Sequence, residues 1–172
     1  MSDDAKAAKE LVETLKDGER GYATAAEKLR DSDRPEWAAT MQRLSEQRAG
    51  FWREIVDMGH EYGDDVDESG TVAAAVHRGW LSLKDAVTGD DPDAVLKAAE
   101  TGEDHAVSEY EDAVKMDLSA GFREVVVRQQ ADVRAAREEL RALQGASCRG
   151  ASYRGRNPEH MIRRCSIVAP PR

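Results

Sequence analysis

The sequence predicts an all-α protein, a bundle of four long helices arranged as two helical hairpins. Its composition favours helices, because alanine, arginine and glutamate are, with aspartate, its commonest residues and aromatic residues make up only 5% of the chain. Apolar residues recur three and four positions apart in four long segments, as on one face of a helix. The second half also echoes the first, since the pair Gly18-Glu19 recurs as Gly102-Glu103 in a similar context.

The first hairpin is predicted from two long periodic segments. The first helix runs from about Asp4 to Leu29, and the break RDSDRPE follows it. Asp33 is placed to cap the second helix, which begins with Pro35 in its first turn and ends near His60. The inward stripe of the first helix consists of Leu11, Leu15, Gly18, Tyr22, Ala25 and Leu29. The stripe of the second consists of Trp37, Met41, Leu44, Gln47, Phe51, Ile55 and Met58.

A polar loop, GHEYGDDVDESG, separates this hairpin from a short helix predicted from about Thr71 to Val87. The second hairpin follows, with helices from about Pro92 to Met116 and from about Gly121 to Gln144. Residues 145–172 show no helical period. The sequence therefore predicts one bundle domain over residues 1–144 and a separate tail over residues 145–172.

The connection between the hairpins predicts how they are arranged. Neighbouring antiparallel helices need only about 2–8 linking residues. The stretch 63–91 holds 29 residues and includes the short helix. This length is enough to travel most of the bundle, at about 1.5 Å per helical residue. A hairpin, a long crossover that contains a short helix, and a second hairpin make a ferritin-like four-helix bundle.

Four polar residues fall on or beside the apolar stripes near the middle of their helices: Glu19, Gln47, Glu103 and Gln130. Because all four lie near mid-helix, we expect them to meet in one polar layer across the core. A buried carboxylate is costly unless it is paired, hydrogen-bonded or bound to metal. The layer is therefore the candidate functional site of the bundle.

Two interpretations of this layer are open. In the first, the four residues bind iron or another divalent metal, with Glu19 and Glu103 in the single-glutamate role of di-metal bundles. That role requires a Glu-x-x-His motif on each of the other two helices, and neither predicted helix contains one. In the second, the amides of Gln47 and Gln130 donate hydrogen bonds to the two carboxylates and fix the register of the helices. The depleted ligand set favours the second interpretation, and no cofactor is expected.

Two glycines and two tyrosines accompany the layer. A glycine inside a helix costs about 0.5–1 kcal/mol relative to alanine. We expect Gly18 and Gly102 to face each other and to let the first and fourth helices approach closely. Tyr22 and Tyr110 lie on inward faces, and we expect them to pack in the core with hydrogen-bonded hydroxyls.

Three segments, KDGERGY, SGTVAAAVHRGWLSLKDAVTGDD and GEDHAVSEYEDAV, resemble an uncharacterised bacterial family of small ferritin-like four-helix-bundle proteins, a domain of unknown function. The resemblance covers residues 8–144, and HRGWLSLKDAVTG is its most specific part. It implies the ferritin-like fold and a bacterial origin, and it supplies no activity. It also supplies no motif that would restore the missing histidines.

Charge and the start of the chain limit the expected partners. Residues 1–144 hold 19 basic and 33 acidic side chains, and an acidic body repels nucleic acid and anionic membranes. The start MSDDAKAAKE has neither the basic nor the apolar region of a signal peptide, and no apolar run approaches membrane-spanning length. We therefore expect a cytoplasmic protein with no nucleic-acid partner for the body and no membrane partner. Long amphipathic helices with exposed apolar edges favour a homo-oligomer.

The tail differs sharply from the body, with six arginines and one glutamate in residues 145–172. Its composition is that of a disordered extension, and a frame-shifted or vector-derived segment is a second explanation. Two weaker alternatives exist for the tail. Its Arg-Gly pairs could contact RNA, but they do not form a repeat. Cys148, His160 and Cys165 could bind zinc, but they lack close Cys-x-x-Cys spacing.

The sequence thus predicts a non-enzymatic structural or interaction bundle of the bacterial cytoplasm, with a stress-related role by family analogy only. The alternative is a ferritin-like protein that binds or oxidises iron through a reduced carboxylate site at Glu19 and Glu103. No nucleophile elbow, phosphate-binding glycine loop or dinucleotide-binding fingerprint occurs in the sequence.

Overall fold

The computed structural model describes residues 2–61, 80–89 and 91–151, and within these residues it is all-helical, with no strand. Four helices are long and one is short. They are α1 (Asp3–Arg30), α2 (Pro35–Glu61), α3 (Leu81–Thr88), α4 (Pro92–Lys115) and α5 (Ala120–Ala151). The prediction of an all-α bundle is confirmed. No helix in the described part of the chain is long and apolar enough to cross a membrane.

Local capping explains where two of the helices begin. The Ser2 hydroxyl accepts a hydrogen bond from the backbone N–H of Ala5 (3.2 Å), and acidic residues fill the first turn of α1. At the start of α4, the Asp91 carboxylate accepts from the backbone N–H of Asp93 (3.0 Å), and Pro92 occupies the first helical position. These caps satisfy N–H groups that have no partner inside the helix.

The helix bounds agree with the sequence prediction for α1, α2 and α4 to within one residue. The last helix differs, because α5 continues to Ala151 instead of ending near Gln144. This extension has no apolar stripe that would reveal it, and a Cβ placed on Gly145 would meet nothing within 4 Å. Of the short helix predicted from Thr71, residues 71–79 lie outside the described residues, and α3 accounts for the rest.

Contacts between helices establish their directions. Asp3 and Asp4, at the start of α1, accept hydrogen bonds from Asp117 N–H (3.0 Å) and Ser119 N–H (2.9 Å), just beyond the end of α4. Helices α1 and α4 are therefore antiparallel. Ion pairs Arg43–Glu139 and Arg128–Glu54, both 2.5 Å, likewise show that α2 and α5 are antiparallel.

The core consists of two apolar clusters stacked along the bundle. The lower cluster, at the end where α1 begins, includes Leu11, Leu15, Ile55, Tyr110 and Phe122. The upper cluster, at the end where α1 finishes, includes Tyr22, Leu29, Met41, Leu96 and Leu140. Between them, on all four long helices, lie the polar residues singled out from the sequence.

Candidate functional site

The polar layer between the two clusters is organised around Glu103 of α4, whose side chain is only 1% exposed. One carboxylate oxygen, Oε1, accepts a hydrogen bond from Nη2 of Arg48 on α2. The other, Oε2, accepts from the hydroxyl of Tyr22 on α1. Three helices thus each supply one member of a buried network, and both carboxylate oxygens are hydrogen-bonded.

Arg48 is as deeply buried as its partner, at 1% exposure. Its Nη1 donates to the side-chain oxygen of Gln47 (2.7 Å). The guanidinium carbon lies 5.8 Å from the ring centroid of Tyr22 and 5.7 Å from that of Phe51, so two aromatic faces also surround the charge. Its Nε is buried and has no hydrogen-bond partner among the described residues.

The buried environment changes the proton affinity of the network. Burial raises the pKa of the Glu103 carboxyl because desolvation penalises its charge, and the Arg48 guanidinium opposes that rise. Burial, and then the nearby Glu103 carboxylate, raise the pKa of the Tyr22 hydroxyl well above its ordinary value. Tyr22 therefore keeps its proton at neutral pH and remains a hydrogen-bond donor.

Trp80 covers this network from the connection between the hairpins. Its indole lies between Gly21 of α1 and Gly102 of α4, and a Cβ on either glycine would overlap the ring. The indole also contacts Tyr22 edge-on, with ring centroids 4.9 Å apart and an interplanar angle of 74°. We call the space between Gly21 and Gly102 the Trp80 slot.

The slot gives the mid-helix glycines a different role from the predicted one. Gly102 does not face Gly18 to let two helix backbones approach, because the Trp80 indole lies against Gly102. Gly18 instead lies beside the stem of Arg48, where a Cβ would come within 3.4 Å of Arg48 Cγ. These glycines lower the helix propensity of their segments, but their lack of a side chain makes room for the Trp80 indole and the Arg48 stem.

The other predicted site residues have separate partners. Glu19 is half-buried, and its Oε2 accepts a hydrogen bond from Nε1 of Trp52 (2.7 Å). Gln130 is mostly buried, but no hydrogen bond in the described part of the chain joins it to Glu19, Gln47 or Glu103. The structure thus brings together Glu103 and Gln47, both through Arg48, and leaves Glu19 and Gln130 outside that network.

A second polar group continues the layer toward the lower cluster. The Tyr110 hydroxyl donates to Oε1 of Gln129 (2.7 Å), and Gln129 Nε2 donates to Glu54 Oε2 (2.8 Å). Both tyrosines therefore pack in the core with hydrogen-bonded hydroxyls, as predicted. Gln129, which was not among the four predicted residues, is fully buried and has the amide role that was assigned to Gln130.

The two carboxylates predicted as metal ligands are both paired with protein groups. Within the described ranges, no group of three or more His, Cys, Asp or Glu side chains is placed to hold one. Glu103 is already neutralised by a guanidinium, and Glu19 is bound to an indole N–H. The layer can therefore hold charge and orient three helices, and its chemistry is that of a buried ion pair.

The sequence contained a signal for Arg48 that was not recognised. Leu44, Phe51 and Ile55 stand four positions before it and three and seven positions after it, which is the spacing of one helix face. Arginine is mostly exposed in proteins, so this position was not expected to be in the core. A buried carboxylate predicted on a neighbouring helix was the reason to look for a buried cation.

Comparison with known proteins identifies the region that carries this site. A family model described as "Domain of unknown function (DUF2383)" matches residues 4–116. This range runs from α1 to the end of α4 and so includes Tyr22, Arg48, Trp80 and Glu103. No curated protein matches the chain.

Proposed function

The chain belongs to the DUF2383 family, whose description gives no function, and we propose that it is a non-enzymatic structural or interaction bundle of the bacterial cytoplasm with a ferritin-like arrangement of helices. The observation that carries the proposal is the buried Arg48–Glu103 pair. The buried Glu103 carboxylate needs a cation beside it, and the Arg48 guanidinium supplies that positive charge in place of a metal ion.

Helix directions support the ferritin-like arrangement. Helix α1 ends beside the start of α4, and α2 is antiparallel to α1. The end of α2 and the start of α4 consequently lie at opposite ends of the bundle. These helix directions support the proposal that the chain between Glu61 and Pro92 makes the long crossover of ferritin-like folds.

The surface of the described residues limits how the bundle could interact, because the exposed apolar edges expected from the sequence are not found there. Val127 is the one large hydrophobic residue that is exposed among the described side chains, at 46%. Obligate dimer interfaces are large and more hydrophobic than this surface. A homo-oligomer, which we propose as well, would therefore associate through polar and charged helix faces, and its assembly would be sensitive to salt. The stress-related role rests on family analogy alone.

Iron binding or oxidation through Glu19 and Glu103 is the competing function. Metal would have to displace Arg48 from Glu103 and Trp52 from Glu19 before both carboxylates could serve as ligands. Displacing Arg48 would leave a buried guanidinium without its counter-ion, which is strongly unfavourable. This cost is the reason to prefer the structural proposal.

The test is metal content and iron uptake. The protein is purified without chelator, its metal is measured by elemental analysis, and Fe(II) is then titrated under air. We expect substoichiometric metal and the same iron oxidation rate in wild type and in a Glu19→Gln, Glu103→Gln variant. The matched control replaces Glu10 and Glu13, two α1 carboxylates near its first turns, by glutamine. Stoichiometric iron that is lost in the first variant and kept in the control would overturn the proposal.

A further inference from the structure

A cleft of about 870 Å³ opens at the end of the bundle where α1 finishes and α4 begins. Four exposed carboxylates line it, from Glu27, Asp31, Asp33 and Asp91, together with a single lysine. Buried apolar side chains lie between them, among which are Leu29 and Val95. The cleft thus combines an acidic rim with an apolar floor.

The last helix leads to the same end of the bundle. Leu140 belongs to the apolar cluster that contains Leu29 and Val95, and Leu143 packs against that cluster. From Leu143, α5 continues for eight residues to Ala151, or about 12 Å at 1.5 Å per residue. The chain therefore leaves α5 at the same end of the bundle as the acidic cleft.

The composition of that chain is complementary to the cleft. Residues 152–172 carry five arginines and one glutamate, with four aliphatic or thioether side chains, Met161, Ile162, Ile167 and Val168. Twenty-one residues can extend about 70 Å, at about 3.3 Å per residue, which is far more than the return distance requires. Attachment to α5 also gives the segment an effective concentration of the order of mM, so that a weak site would be filled.

We propose that residues 152–172 of this chain dock in the cleft lined by Glu27, Asp31, Asp33 and Asp91. Arginine side chains pair with the carboxylates of the rim, and aliphatic side chains of the same segment cover the apolar floor. The contact is electrostatic at its rim, so it weakens as salt rises. The docked segment would lie over the acidic end of the bundle.

The experiment uses the full chain with a nitroxide label on Cys165, after Cys148→Ser leaves it as the single thiol. Paramagnetic relaxation of backbone amides is measured by NMR. We expect strong relaxation at Asp31, Asp33 and Asp91 and none near Glu10. A Glu27→Gln, Asp31→Asn, Asp33→Asn variant, which keeps the Asp91 cap of α4, should lose this relaxation severalfold, and so should the wild type in about 1 M salt.

The matched control neutralises three acids at the opposite end of the bundle, through Glu10→Gln, Glu13→Gln and Asp57→Asn. In this variant the nitroxide should relax the cleft amides as strongly as it does in the wild type. Equal relaxation in the cleft variant and the wild type, or relaxation spread evenly over the bundle, would overturn the proposal. A mixture of ¹⁵N-labelled chains without nitroxide and unlabelled chains with nitroxide tests whose segment docks. Relaxation of the cleft in that mixture would mean that a second copy supplies it, which also contradicts the proposal.

Discussion

Replacing Arg48 by methionine tests the central claim about the polar layer. Methionine keeps an unbranched stem of similar reach and removes the guanidinium, so Glu103 loses its counter-ion while it stays buried. Both side chains are 1% exposed, so the pair belongs to the buried class, for which the loss of one partner costs about 3–5 kcal/mol. In urea, with a slope of about 2 kcal/mol per M, the unfolding midpoint should fall by about 2 M.

A double-mutant cycle separates the pair from the packing around it. Arg48→Met combined with Glu103→Gln removes both charges, and we expect it to recover most of the free energy of unfolding that Arg48→Met alone loses. The matched control is Arg43→Met with Glu139→Gln, which removes a pair on the exposed α2 and α5 surfaces. Exposed pairs contribute about 0.2–1 kcal/mol, so each control variant should remain close to wild type.

The pH dependence of the Arg48→Met variant provides a second measurement. Without the guanidinium, nothing in the pair opposes the effect of burial, so the pKa of Glu103 in the folded state rises further. A carboxyl whose folded pKa lies above its unfolded pKa binds its proton more tightly when folded, so its contribution to stability is lost as pH rises through the folded pKa. The cost of Arg48→Met should therefore be larger at about pH 8 than at about pH 5.

Two results would refute this reasoning. One is an Arg48→Met variant that loses less than about 1 kcal/mol, as an exposed pair would. The other is a double variant as unstable as Arg48→Met alone, which would show that Arg48 acts through its packing and not through its charge. Unfolding must be followed by circular dichroism and by fluorescence together, because the free energies apply only if both report one transition.

Three further predictions test the surroundings of the pair. Gly102→Ala should destabilise the fold by about 1–3 kcal/mol in a urea titration, despite the better helix propensity of alanine, because its Cβ would overlap the Trp80 indole. In the control Gly50→Ala, the added Cβ meets nothing within 4 Å, so this variant should be more stable than wild type by about 0.5–1 kcal/mol. Tyr22→Phe should cost about 1–3 kcal/mol by thermal or urea unfolding, because it removes a buried donor to Glu103, and a variant as stable as wild type would argue against that hydrogen bond. Burial raises the pKa of both Tyr22 and Tyr110 above the unfolded value of about 10, so their contribution to stability is complete below about pH 10 and is lost above it. Ultraviolet titration should show these two phenols ionising only together with unfolding. Their ionisation in the folded protein would contradict the structure.

Much of the fold could be predicted because the relevant signals are local. Helix α4 begins where a capping aspartate precedes a proline, and its apolar residues repeat at helical spacing up to Lys115. The continuation of α5 to Ala151 could not be predicted in this way. Its last turns contain glycines and small residues with no apolar stripe, and a Cβ on Gly145 would meet nothing within 4 Å.

The candidate site could be predicted only in part, because its partners come from different helices. Periodicity alone placed Glu103 in the core, and the structure confirms its burial. The identity of its partner depends on which side chain of α2 faces it, and a helical wheel does not decide between the neighbours Gln47 and Arg48. The contact of Trp80 with Gly21 and Gly102 could not be predicted either. The two glycines are needed because a ring from a third segment of the chain lies between them.

The Trp80 slot also sets a limit on how the length of this chain can vary. Trp80 directly precedes α3, which packs on α4 and α1 and has Leu83 buried in the core, so the position of the indole is tied to that of α3. One residue added or removed within α3, between Trp80 and Val87, would turn or shift the indole relative to Gly21 and Gly102. Insertions and deletions are therefore expected to be excluded from this stretch, and the distance between the indole and α4 is part of the specification of the fold.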